Sequence, residues 1–220
     1  MRKAIVLAAL FTTGYLFTSA QIKKDAILLG GQVSYNSNSN AYWNITQPSQ
    51  TNQKNNGGNF NITIGKAFKE NAVTGIKLGY STSKSENSYN GTSFYNAKAN
   101  QFNLGLFCRK YKKLGGDFYF FGEGGLDYFK SKQTNTDVAG NNKTVVNFSG
   151  GNLSLSPGIS YQVCKKLQLE ILLPGIISAQ YGNYKATPQT NNSKQEYFSI
   201  NTNLNGSLLN SVGIGFRFVL

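Results

Sequence analysis

The run Asn152-Leu153-Ser154-Leu155-Ser156-Pro157-Gly158-Ile159-Ser160-Tyr161-Gln162-Val163 alternates throughout between apolar residues and polar or very small ones. A period of two puts Leu153, Leu155, Pro157, Ile159, Tyr161 and Val163 on one face of an extended chain and Ser, Gly, Asn and Gln on the other. One face is greasy and the other is polar or tiny. The run is also long enough to cross hydrocarbon as a tilted strand, which takes about 9 to 11 residues.

Seven further segments repeat the pattern: 27–35, 60–68, 73–82, 102–108, 118–129, 167–180 and 208–220. With 152–163 they make eight expected strands, and no stretch shows apolar residues at helical spacing. Phe121 and Leu172 break the parity by falling on the polar face. The connections alternate in length. Long polar stretches (36–57, 83–99, 130–148, 181–203) follow the odd strands, and short turns (69–72, 110–116, 164–166) follow the even ones. An antiparallel meander then carries all long loops at one end and all tight turns, with both termini, at the other. The long stretches are rich in Asn, Ser, Thr, Gln and Gly, so they are expected to be solvated, weakly ordered loops. Glycines inside the strands, including Gly30, Gly31, Gly65, Gly105, Gly122, Gly124 and Gly158, would weaken an ordinary sheet but relieve crowding inside a tightly curved barrel.

The chain opens with Arg2 and Lys3, an apolar run too short to span a bilayer, and Thr18-Ser19-Ala20 before Gln21. These are the parts of a secretory signal peptide, with cleavage expected after Ala20. Residues 1–20 are therefore read as a leader and 21–220 as one barrel domain. The full chain has 22 Lys and Arg against 9 acids. Losing Arg2 and Lys3 leaves 20 against 9, a net charge of +11. Scattered lysines on an exported chain argue against nucleic acid and for anionic headgroups. Arg109-Lys110-Tyr111-Lys112-Lys113 and Lys165-Lys166 fall in the short turns, whereas Lys54, Lys84, Lys98, Lys130, Lys132, Lys143, Lys185 and Lys194 lie in or beside the long loops. Cys108 and Cys164, on the fourth and sixth strands, are two strand spacings apart and are expected to stay unpaired as buried structural thiols.

In hydrocarbon every backbone amide and carbonyl needs a partner, so only helices and closed barrels span it. With no membrane helix in 21–220, an eight-stranded antiparallel up-and-down transmembrane β-barrel is the expected fold. Tyr35, Phe68, Tyr80, Phe118, Tyr128, Tyr161 and Phe216, near strand ends, suit interfacial girdles. In the last segment Val212, Ile214, Phe216, Phe218 and Leu220 alternate outward to the chain end. On these features the chain resembles the small eight-stranded bacterial outer-membrane β-barrel family, which includes OmpA-like and OmpX-like barrels. The resemblance covers 26–220 by architecture. It implies a Gram-negative outer-membrane location, contact with outer-membrane lipids and lipopolysaccharide, and delivery by the barrel-assembly machinery, which reads such a terminal strand. The family usually closes on an aromatic, and this chain closes on Leu220.

Parity puts few ionisable groups inside: Lys77, Arg109, Glu123, Asp127, Glu170 and Arg217. Buried charges are costly unless paired, and these six are read as a lumen charge network. Glu170 and Arg217, on adjacent strands at similar height, are expected to form a salt bridge, and Glu123 to meet Lys77 or Arg109. Catalysis is not expected. Glu123 and Asp127 are four residues apart on one strand, about 13 Å by strand rise, too far to share a proton. The chain contains no histidine, so Ser-His and Cys-His machinery cannot be assembled. No cofactor, metal or phosphate-loop motif is present. Two functions remain: a monomeric structural or surface-interaction barrel displaying residues such as Tyr42 and Trp43, or a narrow channel for small solutes or ions.

Overall fold

The computed structural model describes residues 22–44, 49–89, 92–137, 143–173, 175–187, 195–202 and 212–220. The expected leader, 1–20, lies outside these residues, as do 208–211 of the eighth expected strand. The regular elements are strands: β1 (Ile27–Asn44), β2 (Ser49–Lys69), β3 (Ala72–Tyr89), β4 (Thr92–Gly115), β5 (Phe118–Asp137), β6 (Lys143–Cys164), β7 (Leu167–Leu172), β8 (Ile177–Thr187), β9 (Gln195–Thr202) and β10 (Gly213–Val219). Pairing runs β5-β4-β3-β2-β1-β10-β7-β6 and returns to β5, which closes an antiparallel ring of eight. From Val33 the register passes through Phe60, Tyr80, Phe102 and Lys130 to Ser149 in one direction. In the other it passes through Ile214 and Ile171 to Ile159, so the two routes meet β6 ten residues apart. A stagger of this kind tilts strands by roughly 35–45° against the barrel axis.

Three expectations change. The stretches read as loops are largely ladder: β1 continues past Tyr35 to Asn44, paired with β2 from Ser49, and β3–β4 and β5–β6 extend in the same way. Hydrophobic alternation ends where hydrocarbon ends, but backbone hydrogen bonding needs no apolar face and carries the strands outward. The expected seventh strand, 167–180, is two elements. β7 pairs with 158–164 of β6, and β8 pairs with 145–155. The break faces Pro157, whose carbonyl accepts from the Leu173 amide; its missing N–H lies on that same side and leaves the ladder short of a donor. Gly175, at φ 51°, re-aims the chain there, and its amide donates to Ser156 Oγ at 2.9 Å. Third, β9 lies within the stretch read as loop 181–203.

The cysteines also differ from expectation: both are free and exposed. Cys108 sits on the outward face of β4, opposite Thr74 and Gly124, and Cys164 follows a register shift at the end of β6. The expected turn 110–116 is also mostly ladder: Arg109, Lys110, Tyr111, Lys112 and Lys113 all stand on β4 paired with β5, and Arg109 and Tyr111 are buried in the lumen.

Inside the ring, large residues lie across glycines of neighbouring strands. The Phe107 ring stands over Gly65 and Gly75, where an added Cβ would meet it at 3.0 and 2.8 Å. Arg217 lies over Gly30, its guanidinium carbon 3.4 Å from such a Cβ. Phe121 rests against Gly158 in the same way. The parity exceptions Phe121 and Leu172 are therefore lumen residues, both buried. Gly122, by contrast, faces outward into open space, and a Cβ at Gly124 would come no nearer than 4.0 Å, to the Cys108 carbonyl. At the short-turn end Ile22 is fully buried beside Leu28, Ala67, Val73, Phe107, Tyr111, Tyr119 and Phe121. Its amide donates to Asn71 Oδ1 at 3.1 Å, and its carbonyl accepts from the Asn71 amide at 3.0 Å. This apolar cluster fills the short-turn mouth.

Inward and outward glycines should respond differently to a methyl group. Gly75→Ala forces a Cβ into the Ile64 carbonyl and the Phe107 ring and is expected to cost about 1–3 kcal/mol, whereas Gly122→Ala should stay within ~0.5 kcal/mol. Urea titration of the refolded protein in detergent micelles measures both.

Candidate functional site

The inward side chains of β4, β5, β7 and β10 converge above the apolar cluster. Arg109 stands directly opposite Glu123 in the β4–β5 register, and its Nε donates to Glu123 Oε2 at 2.9 Å. Its Nη1 reaches across the lumen to both oxygens of Glu170, at 2.7 Å each. From the other side Arg217 Nε donates to Glu170 Oε1 at 3.0 Å. Glu170 and Arg217 are diagonal rather than opposed, since Glu170 faces Gly215 and Arg217 faces Gln168. Tyr111 Oη donates to Glu170 Oε1 at 3.1 Å. Two arginines and two glutamates thus form one chain, Glu123–Arg109–Glu170–Arg217, with all four side chains almost fully buried. The formal charges cancel, which is the condition for burying ions at tolerable cost.

The guanidinium faces are used as well. Arg109 lies 4.1 Å from the Phe121 ring centroid and Arg217 5.9 Å from that of Phe107. The aromatic floor and the charge cluster are therefore one packed unit. Lys77 and Asp127 form a separate pair at 3.0 Å. Asp127 Oδ1 lies against Gly105, where a Cβ would collide with it. Of the expected partners for Glu123, Arg109 takes the bond and Lys77 turns to Asp127. The participation of Tyr111 was not anticipated; it follows Arg109 by two residues on the same inward face, and that parity was its available signal.

Above this floor the lumen opens into a cavity of about 410 Å³ lined largely by amides and hydroxyls, among them Gln32, Asn59, Asn61, Gln101, Asn152 and Ser154. Lys77, Glu123 and Asp127 also line it. Among the described residues no group of three or more His, Cys, Asp and Glu could hold a metal ion. The cluster binds its own charges to one another.

The outer wall is the reverse of the lumen. Leu29, Ile64, Ile76, Leu106, Leu126 and Leu153 are consecutive partners around six strands, and each is exposed. Tyr35, Phe60, Tyr80, Phe102 and Tyr128 border this band toward the hairpins, and Phe68, Phe118, Tyr161 and Phe218 border it toward the turns, all exposed. A continuous aliphatic belt between two aromatic rims, around a sheet with a polar interior, is suited to hydrocarbon and not to water. The chain forms a closed eight-stranded antiparallel β-barrel with the outer wall of a membrane-spanning barrel.

No protein-family model matches the chain, and neither does any curated sequence. Among solved structures it is similar to Neisserial surface protein A, at 11% identity over 88% of this chain and 96% of that one, with a TM-score of 0.44. It is also similar to OprG from Pseudomonas aeruginosa, at 13% identity, 92% and 99% coverage and a TM-score of 0.45. A major outer membrane protein from Thermus thermophilus gives 12% identity, 87% and 99% coverage and a TM-score of 0.46.

Glu170 accepts from both arginines, so removing it unbalances the whole cluster. Glu170→Gln is expected to destabilise the barrel by about 3–5 kcal/mol, and adding Arg217→Met should return a large part of that loss because the buried charges balance again. A double-mutant cycle on urea unfolding tests this; equal or additive costs would contradict a shared ion-pair chain.

Proposed function

We propose that the protein is a structural and surface-interaction barrel of the Gram-negative outer membrane, monomeric and without catalytic work of its own. The carrying observation is the filled lower lumen: Ile22, Phe107, Tyr111 and Phe121 are buried beneath an ion-pair chain that spans the bore from β4 to β7 and β10. A lumen closed by ring stacking and by paired charges favours a wall with surface hairpins over a pore. The hairpins support the same reading. β1 runs nine residues beyond Tyr35, roughly 20 Å by strand rise and tilt, and exposes asparagine- and serine-rich ladder outside the bilayer. Export by the 1–20 leader and assembly through the terminal strand β10 complete this account.

A narrow channel is the second reading, favoured by one observation: the polar cavity ends on groups that could exchange partners, with Lys77 and Asp127 lying just above Glu123. Planar-bilayer recording of the refolded full chain separates the two. The wild type is expected to show no reproducible single-channel steps. Steps that change conductance in Glu123→Gln or Arg217→Met would establish the channel and overturn the structural reading. Heat-modifiable gel migration together with outer-membrane fractionation tests location, and a soluble protein with no shift would refute it.

A further inference from the structure

At the level of the outer rim and beyond it, β8 takes the place of β7 beside β6, so β4, β5, β6, β8 and β9 pair in succession. Their inward residues form rows. One row of register partners runs Gln101, Ser131, Phe148, Tyr184. The next, two residues nearer the floor, runs Asn103, Phe129, Gly150, Gly182, Tyr197. Its two glycines are directly opposed, and their backbones approach so closely that a Cβ on Gly150 would meet the Gly182 Cα at 2.7 Å. The Tyr197 hydroxyl reaches over Gly182, 3.2 Å from where a Cβ would stand. Phe129 and Tyr197 thus flank a patch of bare backbone, Phe148 and Tyr184 stand above it, and Asn152 and Gln180, opposed in the row below, close the remaining side.

This recess opens into a second cavity of about 410 Å³, lined by all four rings and by Gln101, Gln133 and Gln180. Small-molecule sites commonly measure about 300–1,000 Å³. The lining is held in place before any ligand arrives. The Phe148 and Tyr184 rings pack with centroids 5.8 Å apart and 36° between their planes, and Tyr184 Oη donates to Gln195 Oε1 on β9. Gln101 and Gln133 each donate to the asparagine two residues along, Asn103 and Asn135, at 2.7 and 2.8 Å. Among the described residues none that lines this cavity is charged. Lys77 and Asp127 belong to the deeper cavity and are paired with each other.

Such a lining discriminates among ligand classes. An ion would give up water and meet no counter-charge. An apolar compound would cover the glutamine amides without bonding them, which leaves buried polar groups unpaired. A sugar ring has both characters that the recess offers: hydroxyls for the amides, and a face of C–H groups whose slight positive charge suits the negative face of an aromatic ring. We propose that the recess binds a neutral pyranose, the terminal unit of a glycan outside the cell, with its C–H face on the rings of Phe148 and Tyr197 and its hydroxyls on Gln101, Gln133 and Gln180. The inference deepens the surface-interaction reading and rests on it for the outward direction of the hairpins. It requires no conduction, because the ion-pair chain lies beneath the site.

The test is saturation-transfer NMR on the refolded full chain in zwitterionic micelles, with methyl β-glucopyranoside, methyl β-galactopyranoside and methyl N-acetyl-β-glucosaminide as probes and heat-modifiable migration verifying the fold of every variant. At least one pyranoside is expected to receive saturation, most strongly at the C–H groups of one ring face. Phe148→Ala and Tyr197→Ala should each weaken its binding about threefold to tenfold, the loss of one stacking ring. Tyr197→Phe keeps the ring and should retain most of the binding, and Tyr181→Ala, on the outward face of β8, should bind like the wild type. Indole and glucuronate should each bind more weakly than the sugar. No transfer to any of the three pyranosides, unchanged binding in the folded alanine variants, or equal binding of indole or glucuronate would each overturn the proposal. Channel steps in planar bilayers with sugar binding intact would remove the structural reading and leave this site standing; silent bilayers without sugar binding would remove the site alone.

Discussion

The structure depends on one constraint: a strand in hydrocarbon cannot leave an amide or carbonyl unpaired. Closure of the ring through β1–β10 and β5–β6 removes both sheet edges within the bilayer. The ten-residue stagger tilts the strands and sets the bore, and with eight strands the bore is only wide enough for side chains. What fills it is then a packing question, answered by laying Phe107, Phe121 and Arg217 across the glycines of adjacent strands. The alternation of large and absent side chains is thus a consequence of closure at small strand number.

The charge cluster follows from the same geometry. In a narrow bore β4 and β7 face each other, so Arg109 spans the lumen to Glu170 while keeping its neighbour Glu123. Each guanidinium also has an aromatic face to rest on, Phe121 for Arg109 and Phe107 for Arg217. Ion pairs, rings and glycines are mutually supporting, because the apolar floor excludes the water that would weaken the pairs and the arginines cover rings that would otherwise face a polar cavity. Buried hydrogen bonds that share partners polarise one another, so the cluster is worth more than its pairs taken singly.

How much of this could be read from the amino-acid order divides along physical lines. Period two reports the face in contact with lipid, so the membrane portions of β1–β6, the short turns at 69–72 and 164–166 and the outward register of Ile214, Phe216 and Phe218 are legible, as is the inward parity of Glu123, Glu170 and Arg217; the turn expected at 110–116 is ladder as far as Gly115. Parity gives a face but no height. Height depends on the stagger accumulated around the ring, and for that reason the choice of Arg109 rather than Lys77 for Glu123 is not contained in parity. The outer hairpins were misread because Asn-, Ser- and Thr-rich ladders, wet on both faces, carry no hydrophobic signature. The residue type of Cys108 suggests burial, while its even-numbered place beside Leu106 on β4 points outward, and the thiol is exposed.

The outward lysines show what the same order contains once the rim fixes a scale. Taken singly, Lys84, Lys98 and Lys132 are ordinary surface residues, and a polar loop would place them anywhere. As members of continuous strands they hold fixed offsets from Tyr80, Phe102 and Tyr128, and the ladder converts those offsets into height above the bilayer. The rigidity that extends the strands past the membrane therefore also turns scattered charge into a layer at one depth. At that depth one carboxylate serves several cations: Glu86 is opposed to Lys54 in the β2–β3 register and ion-paired with Lys84, itself opposed to Lys98.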